Sequence, residues 1–310
     1  MQLHKIPFGL WHYWWTQKIK LAKARLDRAR GVPRLKRKFL RNHGYPLNLE
    51  APQTFSEKIQ WRKLHDTNPL LPILSNKYLV RDHIARVLGQ TQADALLVPL
   101  LHYTEDPDSL DLAALPDQFV LKATHGSGLN LIVTDKSTLD PEATRLLMHR
   151  WLLTDYGVEK HEWAYSRTRR GIMVEQMVAP PEQLFDVKLY YFDGKLHCCV
   201  VVEHLGQDVF QTYFDSTAQR LEARRLDRPT NPDATLPDTL DEITAIAAPL
   251  ARGLDFVRVD FMYAPDRFYL GELSLLPGSG LHPIAPASFA RELGENWVLP
   301  MSAGTASPTN

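Results

Sequence analysis

VRVDFMY (257–263) and, after a short turn, FYLGELSLLPGSG (268–280) are the stretches on which the reading of this chain depends. Side chains of an extended strand alternate between faces, so Arg258 shares a face with Asp260, and Glu272 shares one with Ser274. Ala264, Pro265 and Asp266 between the two runs are turn residues, and a hairpin there brings both carboxylates onto one sheet surface. Carboxylates set among Phe, Val and Leu are costly unless they are paired or metal-bound. Two readings are open at this point: hard oxygen ligands on rigid strands suit Mg2+ shared with phosphates, and cross-strand ion pairs to arginines explain the same residues.

Working outward, QFVLKA (118–123) reads as a strand carrying Lys122, followed by THGSG (124–128) and a second apolar run at 129–133. Glycines let backbone N–H groups approach an anion, and a lysine on the preceding strand adds a compact charge, a unit suited to cover nucleotide phosphates. The spacing matches neither the P-loop nor the dinucleotide GxGxxG pattern. A hairpin turn beside an unrelated lysine is the competing reading. Glu175, near the end of IMVEQM (172–177), and Asp186 with Lys188 on DVKLYY (186–191) form a third group, which could equally be a solvated strand edge. His197, Cys198 and Cys199 lack a second ligand pair at metal-binding spacing and read as packing residues.

The strands expected at 172–177, 186–192, 196–203, 256–263 and 267–273 are joined in two places by hairpin turns, at Asp193-Gly194 and at 264–266. Helices interrupt them. Thr54 with Glu57 forms a capping box opening a helix at Phe55. A helical pattern through Ile73, Leu74, Lys77, Tyr78 and 80–88 is expected to close at Gly89, before a strand in LLVPLL (96–101). Another helix is expected to carry Leu240, Ile243, Ile246, Ala247 and Leu250. The class is therefore α+β, and the charged loop 104–116 reads as a domain boundary.

With 310 residues, 44% of them hydrophobic and 23% charged, the chain can bury a substantial core, and at this length two or three packed subdomains are natural. Lys plus Arg equals Asp plus Glu, so no global basic charge argues for nucleic acid as a partner. Only two cysteines occur, adjacent in sequence, which indicates a reducing compartment. No apolar run reaches the roughly 18 residues of a spanning helix, and 1–15 lacks the apolar core of a secretory signal. The charge is local instead: residues 18–41 hold eleven Lys or Arg and one acid, Asp27, directly after WHYWW (11–15). Such a segment can lie on an anionic membrane surface or glycan, or dock on the body through Leu21, Leu26, Leu35 and Leu40.

The order of these clusters, lysine strand, glycine loop, VEQ, DxK, RVD and then GEL with PGSG, resembles the ATP-grasp superfamily over most of 47–283. LNLEAPQTFSEKIQW, SNKYLVRDHI, LPDQFVLKATHGSG, DVKLYYFDGK and VRVDFMY with GELSLLPGSG resemble its TupA-like branch, named for teichuronopeptide biosynthesis. The resemblance implies two α+β subdomains clasping ATP: a basic, Trp-rich extension (1–46), an N-terminal α/β subdomain (47–116), a central lid subdomain (117–178) and a C-terminal subdomain with the metal site (179–300). A disordered tail (301–310) is expected after them. It also implies ATP contacts at Lys77 and Lys122, a mobile loop at His125, Gly126, Ser127 and Gly128, an adenine hinge at Glu175, Gln176 and Val178, and further contacts at Asp186 and Lys188. Asp260 and Glu272 match the acidic Mg2+ pair. Ser274 stands where many relatives carry Asn, and Arg258 with Lys188 would face the transferring phosphate.

The chemistry so implied is cytoplasmic ATP-dependent ligation in bacterial surface-polymer synthesis. A carboxylate, on a uronic acid or a peptide, is activated as an acyl phosphate and captured by an amine or amino acid. Phosphotransfer to a glycan hydroxyl, glycosyl transfer, and a non-catalytic glycan- or membrane-binding relative are the alternatives. No DxD motif adjoins an apolar strand end, which speaks against glycosyl transfer.

Overall fold

The computed structural model describes residues 7–300, so the tail expected at 301–310 lies outside the described residues. Two helices open the described chain: α1 (Trp11–Ala29), and α2 (Pro33–His43), which starts on a proline and closes on Gly44 in the left-handed region. They dock through Gln17, Ala24 and Asp27 of α1 and through Leu35 and Phe39 of α2. Of the four leucines expected to dock, Leu35 is buried and Leu21 half-buried, whereas Leu26 on α1 and Leu40 on α2 are exposed.

Helix α3 (Phe55–His65) begins with the expected capping box: Glu57 N–H donates to Thr54 Oγ1 (3.3 Å), and Thr54 N–H donates to Glu57 Oε2 (2.9 Å). Nine of its eleven residues are buried, polar ones included, which makes it a central strut rather than an amphipathic surface helix. Next come α4 (Leu71–Leu74), α5 (Leu79–Leu88) and α6 (Gln90–Leu96). The helix closes at Gly89 as expected, but a further helix, α6, stands where the strand was expected to begin. With φ at 88° it both closes α5 and opens α6, and the following strand begins only at Leu100, after Pro99.

A four-stranded antiparallel sheet follows, built from β1 (Leu100–Thr104), β2 (Phe119–Ala123), β3 (Asn130–Val133) and, after α7 (Pro141–Leu153) and α8 (Trp163–Arg167), β4 (Ile172–Gln176). The order is β1-β4-β2-β3. Leu110, Leu112 and Leu115 of the 104–116 loop are buried with Phe119, Leu121, Met148 and Trp151 in its core. That loop is therefore not a boundary: the pairing of β1 with β4 starts the four-stranded unit before residue 116.

The second sheet comprises β5 (Phe185–Phe192), β6 (Lys195–Leu205), β7 (Asp208–Asp215) and, beyond the two-residue β8 (Arg224–Arg225) and α9 (Leu240–Ala251), β9 (Phe256–Ala264) and β10 (Arg267–Ser274). Its order is β10-β9-β5-β6-β7, antiparallel throughout. Strand β11 (Ile284–Ala285), which pairs with β8, and α10 (Ala287–Glu295) complete the fold. Period-two alternation sorts the side chains between two cores. Val187, Leu189, Val201, Val257 and Val259 pack on α4–α6 and α9, and Tyr190, Phe192, Cys198, Val200 and Phe256 pack on α3 and α10. Cys198 and Cys199 thus enter opposite cores, as packing residues. Helices α4–α6, expected to form a separate N-terminal unit, instead cover one face of the five-stranded sheet.

Candidate active site

Along the face of β5 and β9 covered by α3, the apolar sequence Phe256, Phe192, Tyr190 gives way to Arg258, Lys188, Asp260 and Asp186. Lys188 lies opposite Asp260, Asp260 opposite Glu272, and Arg258 opposite Ser274. The register depends on a bulge at Gly271, between the pairs Leu270–Phe261 and Glu272–Asp260. A Cβ on Gly271 would come within 3.3 Å of the Asp260 carbonyl oxygen, so glycine suits the bulge that turns Glu272 to the side of Asp260.

Asp260 is buried and receives Arg258 Nε (2.6 Å) on Oδ1, and both Arg258 Nη2 (2.5 Å) and Lys188 Nζ (2.9 Å) on Oδ2. Burial would raise its pKa, but the two cations outweigh it and hold the carboxyl below the usual range. Lys188 also donates to Asp186 (2.9 Å); burial opposes its charge, yet Asp260 and Asp186 carry its pKa above the ordinary lysine value. Arg258 is raised for the same reason and reaches Glu272 Oε1 at 3.3 Å. Both readings of the sequence therefore meet in one cluster. The carboxylates are ion-paired to Arg258, while a lone pair of Asp260 Oδ1, the second oxygen of half-exposed Glu272 and the Ser274 hydroxyl retain acceptor capacity. Two hard carboxylates with a hydroxyl fit Mg2+, which commonly takes one or two carboxylates and completes its shell with phosphate and water oxygens.

The facing wall comes from the four-stranded sheet and the turn before α5. Asn76 Oδ1 accepts from the N–H groups of Tyr78 (2.9 Å) and Leu79 (3.0 Å), and its amide donates to Arg169 O (2.6 Å), which fixes Lys77 between them. Lys77 donates from its backbone to Thr124 O (2.9 Å) and from its ammonium to Gly126 O. Burial lowers its pKa, against a raising contribution from Glu272. Lys122 is ion-paired to Glu175 (2.5 Å), whose other oxygen receives Arg81 (3.3 Å). Arg81 also donates to Val98 O (3.0 Å), so it ties α5 to β4. Gln176 is exposed, and its N–H donates to Pro99 O (3.0 Å); Val178 is half-buried beyond it.

The 124–128 loop departs from expectation at His125. Its ring is buried, with Nε2 against Trp151 O (3.1 Å), and burial lowers its pKa to about 4, so it is a neutral packing group turned away from the cleft. Gly126 is required by close approach, since a Cβ there would meet the Tyr156 ring at 2.8 Å. Ser127 is exposed and Gly128 is left-handed (φ 72°). Between the walls lies a cleft of about 250 Å3 that brings together Lys77, Ser127, Arg258, Glu272 and Ser274.

The PGSG turn closes the cleft with three left-handed residues, Gly278, Ser279 and Gly280. Helix α3 grips it from behind: Gln60 Nε2 donates to Ser279 O (2.9 Å) and Gly280 O (2.7 Å), and Lys63 Nζ donates to Ser279 O (3.0 Å) and Oγ (3.2 Å). Burial lowers the Lys63 pKa to about 7, with Glu162 opposing and Lys160 and Lys38 reinforcing the fall. Gln60, Lys63, Tyr156, Lys160 and Glu162 were not singled out from sequence. For Gln60 and Lys63 the signal is their place in a helix whose polar positions are buried, visible once both faces of α3 are known to be covered.

Two sheets facing each other across a cleft, with lysines on one wall and an acidic pair on the other, define an ATP-grasp fold. The family described as TupA-like ATPgrasp matches residues 57–298, and the chain belongs to that family. Among solved structures, it is similar to a D-alanine–D-alanine ligase from Bacillus anthracis complexed with ATP, at 18% identity and a TM-score of 0.40, over 73% of this chain and 65% of that one. It is also similar to an L-amino acid ligase from Bacillus licheniformis, at 17% identity and a TM-score of 0.41, over 80% of this chain and 53% of that one. The chain spans less than two thirds of the length of either structure. No curated protein matches it.

Proposed function

We propose that the chain is an ATP-dependent carboxylate–amine ligase. The observation that carries this reading is the Lys188–Asp260–Arg258–Glu272 cluster, of which Arg258 and Glu272 line one cleft with Lys77 and Ser127. Lys77 and Lys122 would hold phosphate oxygens of ATP from the first wall, and the N–H groups of 126–128 can approach them closely because Gly126 and Gly128 lack side chains. Gln176 and Val178 sit where the chain passes between the sheets, the place for adenine. Asp260, Glu272 and Ser274 would hold Mg2+, which when bound neutralises phosphate charge. Arg258 and Lys188, both kept protonated by Asp260, are placed to stabilise the negative charge that builds as a substrate carboxylate attacks the γ-phosphate. That attack would release ADP and leave an acyl phosphate; an amine would then attack the acyl carbon, displacing inorganic phosphate and losing a proton to give an amide, and closure of 124–128 would keep water out. The carboxylate is read as that of a uronic acid or peptide in bacterial surface-polymer synthesis.

The test is thermal stabilisation by ATP with and without Mg2+, followed by phosphate release on adding carboxylate and amine together. A Mg2+-dependent shift abolished by Lys122→Ala and by Glu272→Ala supports the site; no shift at saturating nucleotide refutes it. Phosphate retained on the acceptor would instead mark a phosphotransferase. The setting we favour is the cytoplasmic face of a membrane. No helix among the described residues is long and apolar enough to span one, but α1 exposes Trp11, Trp15, Ile19 and Leu26 along one side, flanked by Lys18, Lys23 and Arg25. Co-sedimentation with anionic but not neutral vesicles, lost in Trp11→Ser/Trp15→Ser, is the expected result; equal pelleting of the double variant would overturn it.

A further inference from the structure

A second cavity, of about 320 Å3, lies between α1, α2 and the 158–160 turn, on the far side of the PGSG segment from the charged cluster. Its walls carry five cations: Lys20 and Lys23 one turn apart on α1, Arg34 and Lys38 one turn apart on α2, and Lys160. Two carboxylates face them, and both are already engaged. Asp27 accepts from Arg34 N–H (2.8 Å) and is bonded to His161 Nε2 (3.0 Å), and Glu159 meets Lys20 at 3.4 Å in an exposed pair. Among the described residues, the side-chain cations of Lys23, Arg34, Lys38 and Lys160 have no ion-pair partner. The floor is apolar, formed by Ala24, Leu35 and Leu281.

The groove adjoins the candidate active site at two points. Lys160 lines both cavities, and Leu281 directly follows the PGSG turn. We infer that the groove is a subsite for an anionic saccharide, holding a carboxylate-bearing stretch of the acceptor whose reacting end lies in the cleft beyond Lys160. Four of the five cations are lysines, distributed in two rows. Distributed point charges match carboxylates repeated along a chain, whereas a compact phosphate is better met by a fork of arginines. The apolar floor fits the C–H face of a sugar ring, which a flexible acidic peptide lacks. Naming the occupant an acceptor rests on the ligase reading; the groove's charge and shape do not.

The experiment is titration of the full chain with trigalacturonate at low ionic strength and without nucleotide, for wild type and for Lys23→Glu/Lys38→Glu, with Mg2+-ATP stabilisation measured on both proteins. Saturable binding that weakens with salt, falls about tenfold or more in the double variant, and leaves the nucleotide shift intact supports the subsite. No binding of trigalacturonate by wild type, equal binding by the variant, or equally tight binding of tripolyphosphate, triglutamate or neutral maltotriose would overturn it. The two readings fail separately. Loss of the Mg2+-ATP shift in wild type refutes the ligase site with the groove untouched, and loss of saccharide binding refutes the groove with the nucleotide site standing. Lys160→Ala extends the test: its effect on trigalacturonate binding, with 23 and 38 intact, locates the end of the groove nearest the cleft, and no effect would refute the passage of the acceptor past Lys160.

Discussion

Replacing Lys63 by methionine should make the difference in stability between wild type and variant depend on pH near neutrality. Lys63 is fully buried, and its ammonium is held near a pKa of about 7, against 10.5 for an ordinary lysine. Below pH 7 both folded and unfolded chains carry the proton, and the cost of burying the charge is present in full. Between 7 and 10.5 the unfolded chain binds more protons than the folded one, so stability rises with pH. Integrating between pH 6 and pH 9, wild type should gain about 2–3 kcal/mol relative to Lys63→Met. Urea unfolding midpoints at the two pH values measure the gain, and an NMR titration of lysine Cε resonances, assigned by their absence from the variant, reads the pKa directly. A resonance titrating near 10, or a stability difference flat from pH 6 to 9, would refute the burial argument.

Gly126→Ala should push the 124–128 loop off the Tyr156 ring and reduce the Mg2+-ATP thermal shift; Gly126→Ala/Tyr156→Ala should restore it, and a double variant no better than the single one would disprove the clash. Asp260→Asn leaves Arg258 only Glu272 (3.3 Å) and Lys188 only Asp186 (2.9 Å) as carboxylate partners, and should cost about 3–5 kcal/mol. Because the Asp260 pKa is depressed on folding, that advantage of wild type should fade on acidification through the low folded pKa, as read by acid unfolding. Arg62→Met removes a buried guanidinium that donates to Phe256 O (3.0 Å) and Leu275 O (3.2 Å), pairs with Asp66 and Asp255, and lies 4.4 Å from the Trp297 ring centroid. A loss of about 3–5 kcal/mol in urea unfolding is expected, and a loss below 1 kcal/mol would show that the pairings are replaceable.

The strands of the second sheet were legible because their signals are local. Alternation in 186–192 and 256–263, and turn residues at 193–194 and 264–266, are set by a handful of neighbouring residues. The pairing of Glu272 with Asp260 followed from the hairpin, although the bulge that makes it work did not. What was hidden depends on distant contacts. The 104–116 segment looks like a linker until Leu110, Leu112 and Leu115 are seen to cap a core made by Phe119 and Trp151. His125 looks like a loop residue over phosphate until α7 is placed over it. Gln60 and Lys63 sit in a helix whose polar positions read as solvent-facing, and only the PGSG turn, more than two hundred residues later, gives them partners.

The same geometry decides where a pH response can originate. At the cluster, Lys188 and Arg258 are held above their ordinary values and Asp260 below its own, so all three keep their charge across the neutral range. The nearby imidazoles of His125, His282 and His43 are all lowered by burial and are neutral there. Lys63 alone, among the described residues gripping the PGSG turn, is set to change charge near pH 7, and Glu162, Lys160 and Lys38 are the charges that tune it. Lys160 and Lys38 also line the basic groove. An anion bound there would offset their repulsion of the Lys63 ammonium, so saccharide binding should raise the Lys63 pKa, and by linkage binding should strengthen as pH falls through 7. Measured on wild type and on Lys63→Met, the slope of trigalacturonate affinity against pH should be steeper in wild type. Parallel slopes would mean that the groove and the turn are electrostatically independent.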